Sequence, residues 1–322
     1  MSGYFRERLA TGTHDPLHAK VLVLESGGQK AALVAVDLVS IPENIVRDAR
    51  IRITLQTGIP ASHVMISATH SHTGPEMGTR LAGVDAGTRQ IAQGYLTRLP
   101  AVIADGVTRA DAALVPARAH AAVGRQEGVS FIRRFLMKDG TVGWNPGKNN
   151  PNIVRPLGTI DPEVRSVYFE GSDGKPLGAY VNFANHLDTV GGTEFSADYP
   201  YTIANVLANA KGDDFLTVFT IGTAGQINHV DVSSPVPQKG HQEAARIGTV
   251  LAGSVVESWR RLEPVAGPVQ ARTVTLDLDT GTMEPDAPEK ARKLLEGYGE
   301  QPNAPFLDLV RAFRALDLER AK

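Results

Sequence analysis

Val64-Met65-Ile66-Ser67-Ala68-Thr69-His70-Ser71-His72-Thr73-Gly74-Pro75 is the stretch whose reading decides the fold. The apolar run from Val64 to Ala68 has the length and character of a buried strand. It opens at Thr69 into a loop that closes at Gly74-Pro75. Residues two apart in extended backbone point to one side, so the imidazoles of His70 and His72 can reach one small volume beyond the strand. Ligands of α/β proteins bind at such places, and imidazole is the commonest metal ligand.

Working outward, Ala19–Glu25 and Ala31–Val36 read as strands around Ser26-Gly27-Gly28-Gln29, a hairpin signal. Glu43 to Thr57 carries Ile45, Ala49 and Ile53 at helical spacing and stops at Gly58-Ile59-Pro60. A second helical pattern runs through Ile91, Tyr95, Leu99, Ile103 and Val107, where Pro100 should kink or divide it. Ala113–Val123, Val129–Leu136, Val164–Glu170, Leu177–Phe183 and Phe215–Ile221 read as strands. Gly143 to Pro162, rich in Asn, Pro and Gly, reads as a long irregular loop of the kind that is often functional. Ser196-Ala197-Asp198 can cap a helix from about Tyr199 to Ala210. Lys239–Leu262 reads as an amphipathic helix, Val269–Leu278 as an alternating strand and Glu289–Lys322 as a final helix. The fold class expected is α/β: mixed β-sheets with flanking helices and metal-site loops at strand ends.

One pattern recurs. Three apolar runs end in loops bearing His70/His72, His186/Asp188 and His229/Asp231, which take four of the nine histidines. If the three strands are neighbours in one sheet, their loops converge. Neutral imidazoles with a carboxylate suit a catalytic zinc, which needs three protein ligands and an open position. Taken singly, each loop reads better as side chains tying its own backbone; taken together, they point to a metal site. Arg133 and Arg134 are adjacent in one expected strand, so at most one faces such a site. That arginine is either a surface ion-pair partner or a group that holds an oxyanion. Asp37, at a strand end, either supports a histidine or is a turn residue.

Bulk properties exclude several classes. The 322 residues are 42% hydrophobic and 21% charged with a net charge of −2, a globular profile with no field for nucleic acid. There is no cysteine, hence no disulfide, thiolate zinc site or cysteine nucleophile. No apolar stretch approaches the roughly 20 residues of a transmembrane helix, and Met1-Ser2-Gly3-Tyr4-Phe5-Arg6 has no signal-peptide core. Gly222-x-x-Gly225 lacks the lysine and spacing of a phosphate loop, and no Gly-x-Ser-x-Gly elbow occurs. Ser254 reads as helix packing.

Five motifs, in order, resemble the catalytic region of the neutral/alkaline non-lysosomal ceramidases, particularly bacterial members. They are Thr13-His14-Asp15-Pro16-Leu17, Ala68–Pro75, Arg133-Arg134 with Lys138-Asp139-Gly140-Thr141, Asn185-His186-Leu187-Asp188, and Ser196-Ala197-Asp198-Tyr199-Pro200. The resemblance runs from about residue 3 to 262. It implies one catalytic domain over 1–322, shortened at both ends, and a secreted or periplasmic location. It also implies a zinc-dependent amidase that cleaves the N-acyl bond of ceramide-like lipids with activated water.

Carried onto this chain, the resemblance makes His70 and His186 ligands of Zn2+, with Asp188 and Asp231 as additional candidates. His72 is then the acid–base neighbour and Arg133 the group facing the scissile carbonyl. Asn228 and His229 are the substrate-facing residues. The chain departs from the family at Gly225-Gln226-Ile227-Asn228-His229-Val230, where characterised ceramidases carry Gly-Asp-Val-Ser-Pro-Asn; no Pro-Gly-Glu follows Leu262. Two alternatives therefore stay open: a metal-dependent hydrolase of the same fold acting on another amide or ester, and a binding protein with a degenerate metal site. The partner expected is a small-molecule or lipid amide; oligomeric state is not read from the sequence.

Overall fold

Two β-α-β crossovers place the strand ends that matter. The computed structural model describes residues 1–2, 8–77, 85–277, 279–296 and 304–320. Strands Ala19–Ser26 and Gln29–Val36 pair antiparallel, and Gln29–Val36 pairs parallel with Val64–Ala68. A parallel pair needs a crossover, which the helix Glu43–Thr57 supplies. Its buried Ile45, Ala49 and Ile53 pack with Leu99, Ile103 and Val107 of the long helix Ala86–Ala112 against this sheet. Asp85 caps that helix by accepting from the backbone of Gly87 and Thr88. Pro100 neither ends nor divides it; Pro100 is buried with its neighbours, and this packing offsets the lost hydrogen bond.

The larger sheet has five strands, in the order Leu216–Ile221, Pro176–Phe183, Glu163–Gly171, Ala117–Arg125 and Glu263–Val265. Pro176–Phe183 and Leu216–Ile221 run parallel, joined by the crossover helix Tyr199–Lys211. The helix His241–Ser258 lies against Tyr199–Lys211, and both cover the sheet through Ile203, Leu207, Ile247, Leu251 and Val255. Leu216–Ile221 is the edge strand that packs beside the three-stranded sheet. The mixed α/β class is as the sequence predicts, but the histidine-bearing strands belong to two abutting sheets rather than one. Backbone bonds join the sheets' ends: His72 N donates to Leu187 O at 3.0 Å.

Three segments differ from the sequence reading. Val129–Leu136 is broken into Phe131–Ile132 and Arg134–Met137, with Arg133 at the break. The expected loop from Gly143 contributes two short strands: Val142–Trp144 and Ile153–Pro156 flank Arg134–Met137. Residues 269–277 form no strand, and Leu278 lies outside the described residues. Val269 N donates to Ser26 O at 3.3 Å, but the contact does not extend into a ladder, and Val274 and Leu276 stay exposed. The final helix is two, Ala287–Leu294 and Phe306–Arg320, packed on each other. The end of the expected helix, 321–322, and positions 297–303 lie outside the described residues.

Candidate metal centre

The C-terminal ends of Gln29–Val36, Val64–Ala68, Pro176–Phe183 and Leu216–Ile221 meet, and three histidines fill the meeting point. His70 Nε2 is 3.2 Å from His186 Nε2 and 3.3 Å from His72 Nε2, and His72 and His186 close the triangle at 3.1 Å. The convergence of His70 and His72 has a different cause from extended alternation. His70 takes a left-handed backbone, with φ 76°, a region where histidine occurs more often than most residues. It is held there because His70 N donates to Leu38 O at 2.9 Å and Nδ1 donates to Val39 O at 2.7 Å.

The tautomers follow from the acceptors. A carbonyl oxygen only accepts, so His70 Nδ1 carries the proton toward Val39 O, and His186 Nδ1 carries one toward Ala224 O at 3.3 Å. In the neutral rings both Nε2 lone pairs then face each other at 3.2 Å. That arrangement repels unless a cation or a shared proton lies between. Burial, and the charges of Arg133 and His70, push His186 down to about 4 against the pull of Asp188, so a metal suits the space better than a proton. A tetrahedral zinc with Zn–N near 2.05 Å sets its ligand nitrogens roughly 3.3 Å apart. The triangle matches one face of such a tetrahedron and leaves the fourth position open.

The loop behind the triangle is fixed from below. Ser71 Oγ and Thr73 Oγ1 both donate to Ser196 O, at 2.7 and 2.9 Å. Ser196 Oγ and Ala197 N in turn donate to the buried Asp15, at 2.6 and 2.7 Å. Asp198 caps the crossover helix by accepting from Tyr199 N at 2.7 Å, and also accepts from Val190 N. Its own φ is 60°, and burial pushes its carboxyl up to about 6. Arg8 Nη2 donates to His72 O at 2.7 Å. Asp37 accepts from His18 N and Thr69 Oγ1, which places it under the loop.

The remaining candidates surround the triangle. Arg133 is buried; its Nη2 donates to Gly225 O at 2.9 Å and its Cζ lies 4.2 Å over the Trp144 ring. Arg134 points away and bonds Gln226 Oε1. Asp188 Oδ1 is 3.3 Å from His229 Nδ1, without hydrogen-bond alignment. Asp188 is held well below the usual carboxylate range by His229, His186 and His72, which outweigh its burial. It faces the histidines, but its oxygens are not in the converging set. Asp231 stands apart: its Oδ1 accepts from Ser233 N and Oγ within its own loop. Asn228 is buried and self-contained, since Nδ2 donates to Asn145 Oδ1 and Oδ1 accepts from Val230 N. Sequence reasoning missed the supporting roles of Val39 O, Ala224 O and Trp144. Backbone acceptors leave no residue signature, and Trp144 lies in the segment read as irregular.

The fold matches two solved structures. One is titled "Ceramidase complexed with C2": TM-score 0.68 at 22% identity, covering 83% of this chain and 42% of that one. The other is neutral ceramidase from Pseudomonas aeruginosa: TM-score 0.66 at 21% identity, covering 83% of this chain and 43% of that one. The chain thus has the neutral ceramidase fold over most of its length and spans less than half of those chains. No protein-family model matches the sequence, and no curated protein does.

Proposed function

We propose that this chain is a zinc-dependent amide hydrolase of the ceramidase family. The observation that carries the reading is the triangle of His70, His72 and His186 Nε2 atoms at parallel strand ends of a ceramidase fold. His70, His72 and His186 are the ligands; two of them are aimed by Val39 O and Ala224 O, as metal-bound histidines are aimed by a partner on the other ring nitrogen. Zinc bound there would lower the pKa of a water to about 7 and polarise a carbonyl. Arg133, clamped between Gly225 O and the Trp144 face, carries a fixed positive charge toward the oxygen of a tetrahedral adduct. Asp188 holds negative charge beside His186 and His229, which favours a cation in the space between the histidines.

The substrate class proposed is an N-acyl amide of the ceramide type. Asn228 supports a second reading. Its side chain is spent on Asn145 and Val230, and it stands where the resemblance places a serine, so a different amide or ester fits this rim as well. Among the described residues no helix is long and apolar enough to cross a membrane. The test is zinc-loaded protein against a panel of N-acylsphingosines, N-acyl amino acids and acyl esters. Hydrolysis of the ceramides, lost in His70→Ala and Arg133→Met, supports the first reading. Turnover of the other amides or esters alone supports the second, and no turnover of any by zinc-replete protein rejects hydrolysis.

A further inference from the structure

A second cluster of metal-binding side chains lies at the other end of the loop that carries His186. The strand Gly12–Thr13 pairs parallel with Glu194–Phe195, which sets Gly12 opposite Glu194 and Thr13 opposite Phe195. His14 follows directly, its N–H donating to Phe195 O at 2.9 Å. His241 is the first residue of the helix His241–Ser258, and Gly240 before it donates to Thr189 O at 2.8 Å. One imidazole or carboxylate ligand atom from each of His14, Glu194 and His241 lies within 4.8 Å of the others. The backbones of all three are therefore fixed by hydrogen bonds close to them, while the side chains of His14 and Glu194 stay open to solvent.

The donor set is specific. Two imidazoles and one carboxylate suit zinc, cobalt or nickel, not calcium or magnesium, which take oxygen ligands. The two rings stack with centroids 3.5 Å apart and planes 25° apart. Glu194 makes no ion pair with a lysine or arginine among the described residues, so its charge is available to a cation. The imidazole lone pair lies in the ring plane, so the rings need only swing about their side-chain bonds to bring both nitrogens onto one ion.

We propose that His14, Glu194 and His241 form a second site for a divalent transition-metal ion, separate from the His70–His72–His186 centre. An ion there would cross-link the N-terminal strand, the 185–198 loop and the start of the helix His241–Ser258. The same loop supplies His186 to the first centre, so the second ion would also hold that loop's far end.

The test counts zinc in the full 322-residue chain. Chelator-stripped protein is equilibrated with a slight excess of Zn2+, freed of unbound metal and measured by mass spectrometry. Wild type should retain two ions, the His14→Gln/His241→Gln variant one, and His70→Ala one. Zinc addition should also shift the ring resonances of His14 and His241 in wild-type protein, a readout that does not depend on the variants folding. Unmoved resonances, or equal zinc in wild type and the double variant, would overturn the second site. A single ion lost only in His70→Ala has the same consequence and leaves the proposed function standing. A single ion lost only in His14→Gln/His241→Gln would sustain this site and remove the zinc centre on which that function rests.

Discussion

His70 Nε2 and His186 Nε2 lie 3.2 Å apart although 116 positions separate them in the chain. Their lone pairs are directed at each other by carbonyls on either side, so the contact is unfavourable without a cation. Removal of either ring should abolish tight zinc binding at this centre and, because it relieves lone-pair repulsion, leave the metal-free protein folded. His72→Ala should also lose the ion. Zinc content and circular dichroism of the stripped and loaded forms check both halves. Zinc retained in His72→Ala together with lost turnover would make His72 an acid–base group instead of a ligand.

Arg133 should matter for turnover more than for metal. Lysine cannot reproduce a guanidinium stacked at 4.2 Å on Trp144 while donating to Gly225 O. Arg133→Lys should therefore lower kcat by about 10²–10³, the scale of a lost oxyanion donor, with zinc content unchanged. Trp144→Ala should give a milder loss, since it removes a cation–π contact of about 1–2 kcal/mol. Steady-state kinetics beside metal analysis separates the two effects.

Asp15 lies outside the centre but supports it. Its carboxylate accepts from Ser196 Oγ and Ala197 N, and Ser196 O accepts from the hydroxyls of Ser71 and Thr73. Charge-assisted bonds of this kind are worth roughly 1.5–3 kcal/mol each. Asp15→Asn should cost about 2–3 kcal/mol in urea unfolding and weaken zinc binding as the His70–His72 loop loosens. Unchanged zinc affinity in a destabilised variant would confine Asp15 to folding.

Two buried groups near the centre titrate with opposite sign. His186 is pushed down to about 4, so the unfolded chain takes up its proton first, and stability falls as pH drops from the ordinary histidine value toward 4. Asp198 is pushed up to about 6, so the unfolded chain loses its proton first, and stability falls as pH rises from the ordinary carboxylate value toward 6. In metal-free protein His186→Ala should thus lose less stability than wild type on acidification across this window. Asp198→Asn should lose less than wild type on alkalinisation across it. Urea midpoints at several pH values give both differences, and parallel curves for wild type and variant would count against the corresponding shift.

Helix packing supplies a test of the fold itself. A Cβ on Gly248 would lie 2.6 Å from Tyr199 O and from Thr202 Cβ, where the two covering helices touch. Gly248→Ala should destabilise by about 1–3 kcal/mol through overpacking. Gly253→Ala, in the same helix with open space around it, should stabilise by about 0.5–1 kcal/mol through helix propensity. Thermal unfolding of the pair should move in opposite directions.

Much of this molecule is legible in the sequence, for a physical reason. Burial writes periodicity, so the helix Glu43–Thr57 and the strands that bear histidines at their ends can be read from spacing alone. His70, His72, His186 and His229 can be picked out together because histidine is scarce and recurs after apolar runs; which three of them converge is set by the structure. That Arg133 and Arg134 face different surroundings is legible as strand alternation, although the structure places Arg133 at a break between two short strands. What periodicity does not carry is the partner. Val269–Leu278 alternates in sequence, yet residues 269–277 form no strand, while Trp144 sits in a strand inside a stretch that looks irregular.

The sequence by itself determined which residue types reach the strand ends. Only the tertiary structure decided that two sheets, not one, bring them together. It turned His70 into a left-handed conformation and aimed its Nε2 through Val39 O. It also drew Asp231 into contacts of its own loop and Asn228 onto Asn145 of a remote segment. Those outcomes depend on distances between segments remote in sequence, and on backbone carbonyls that every residue possesses.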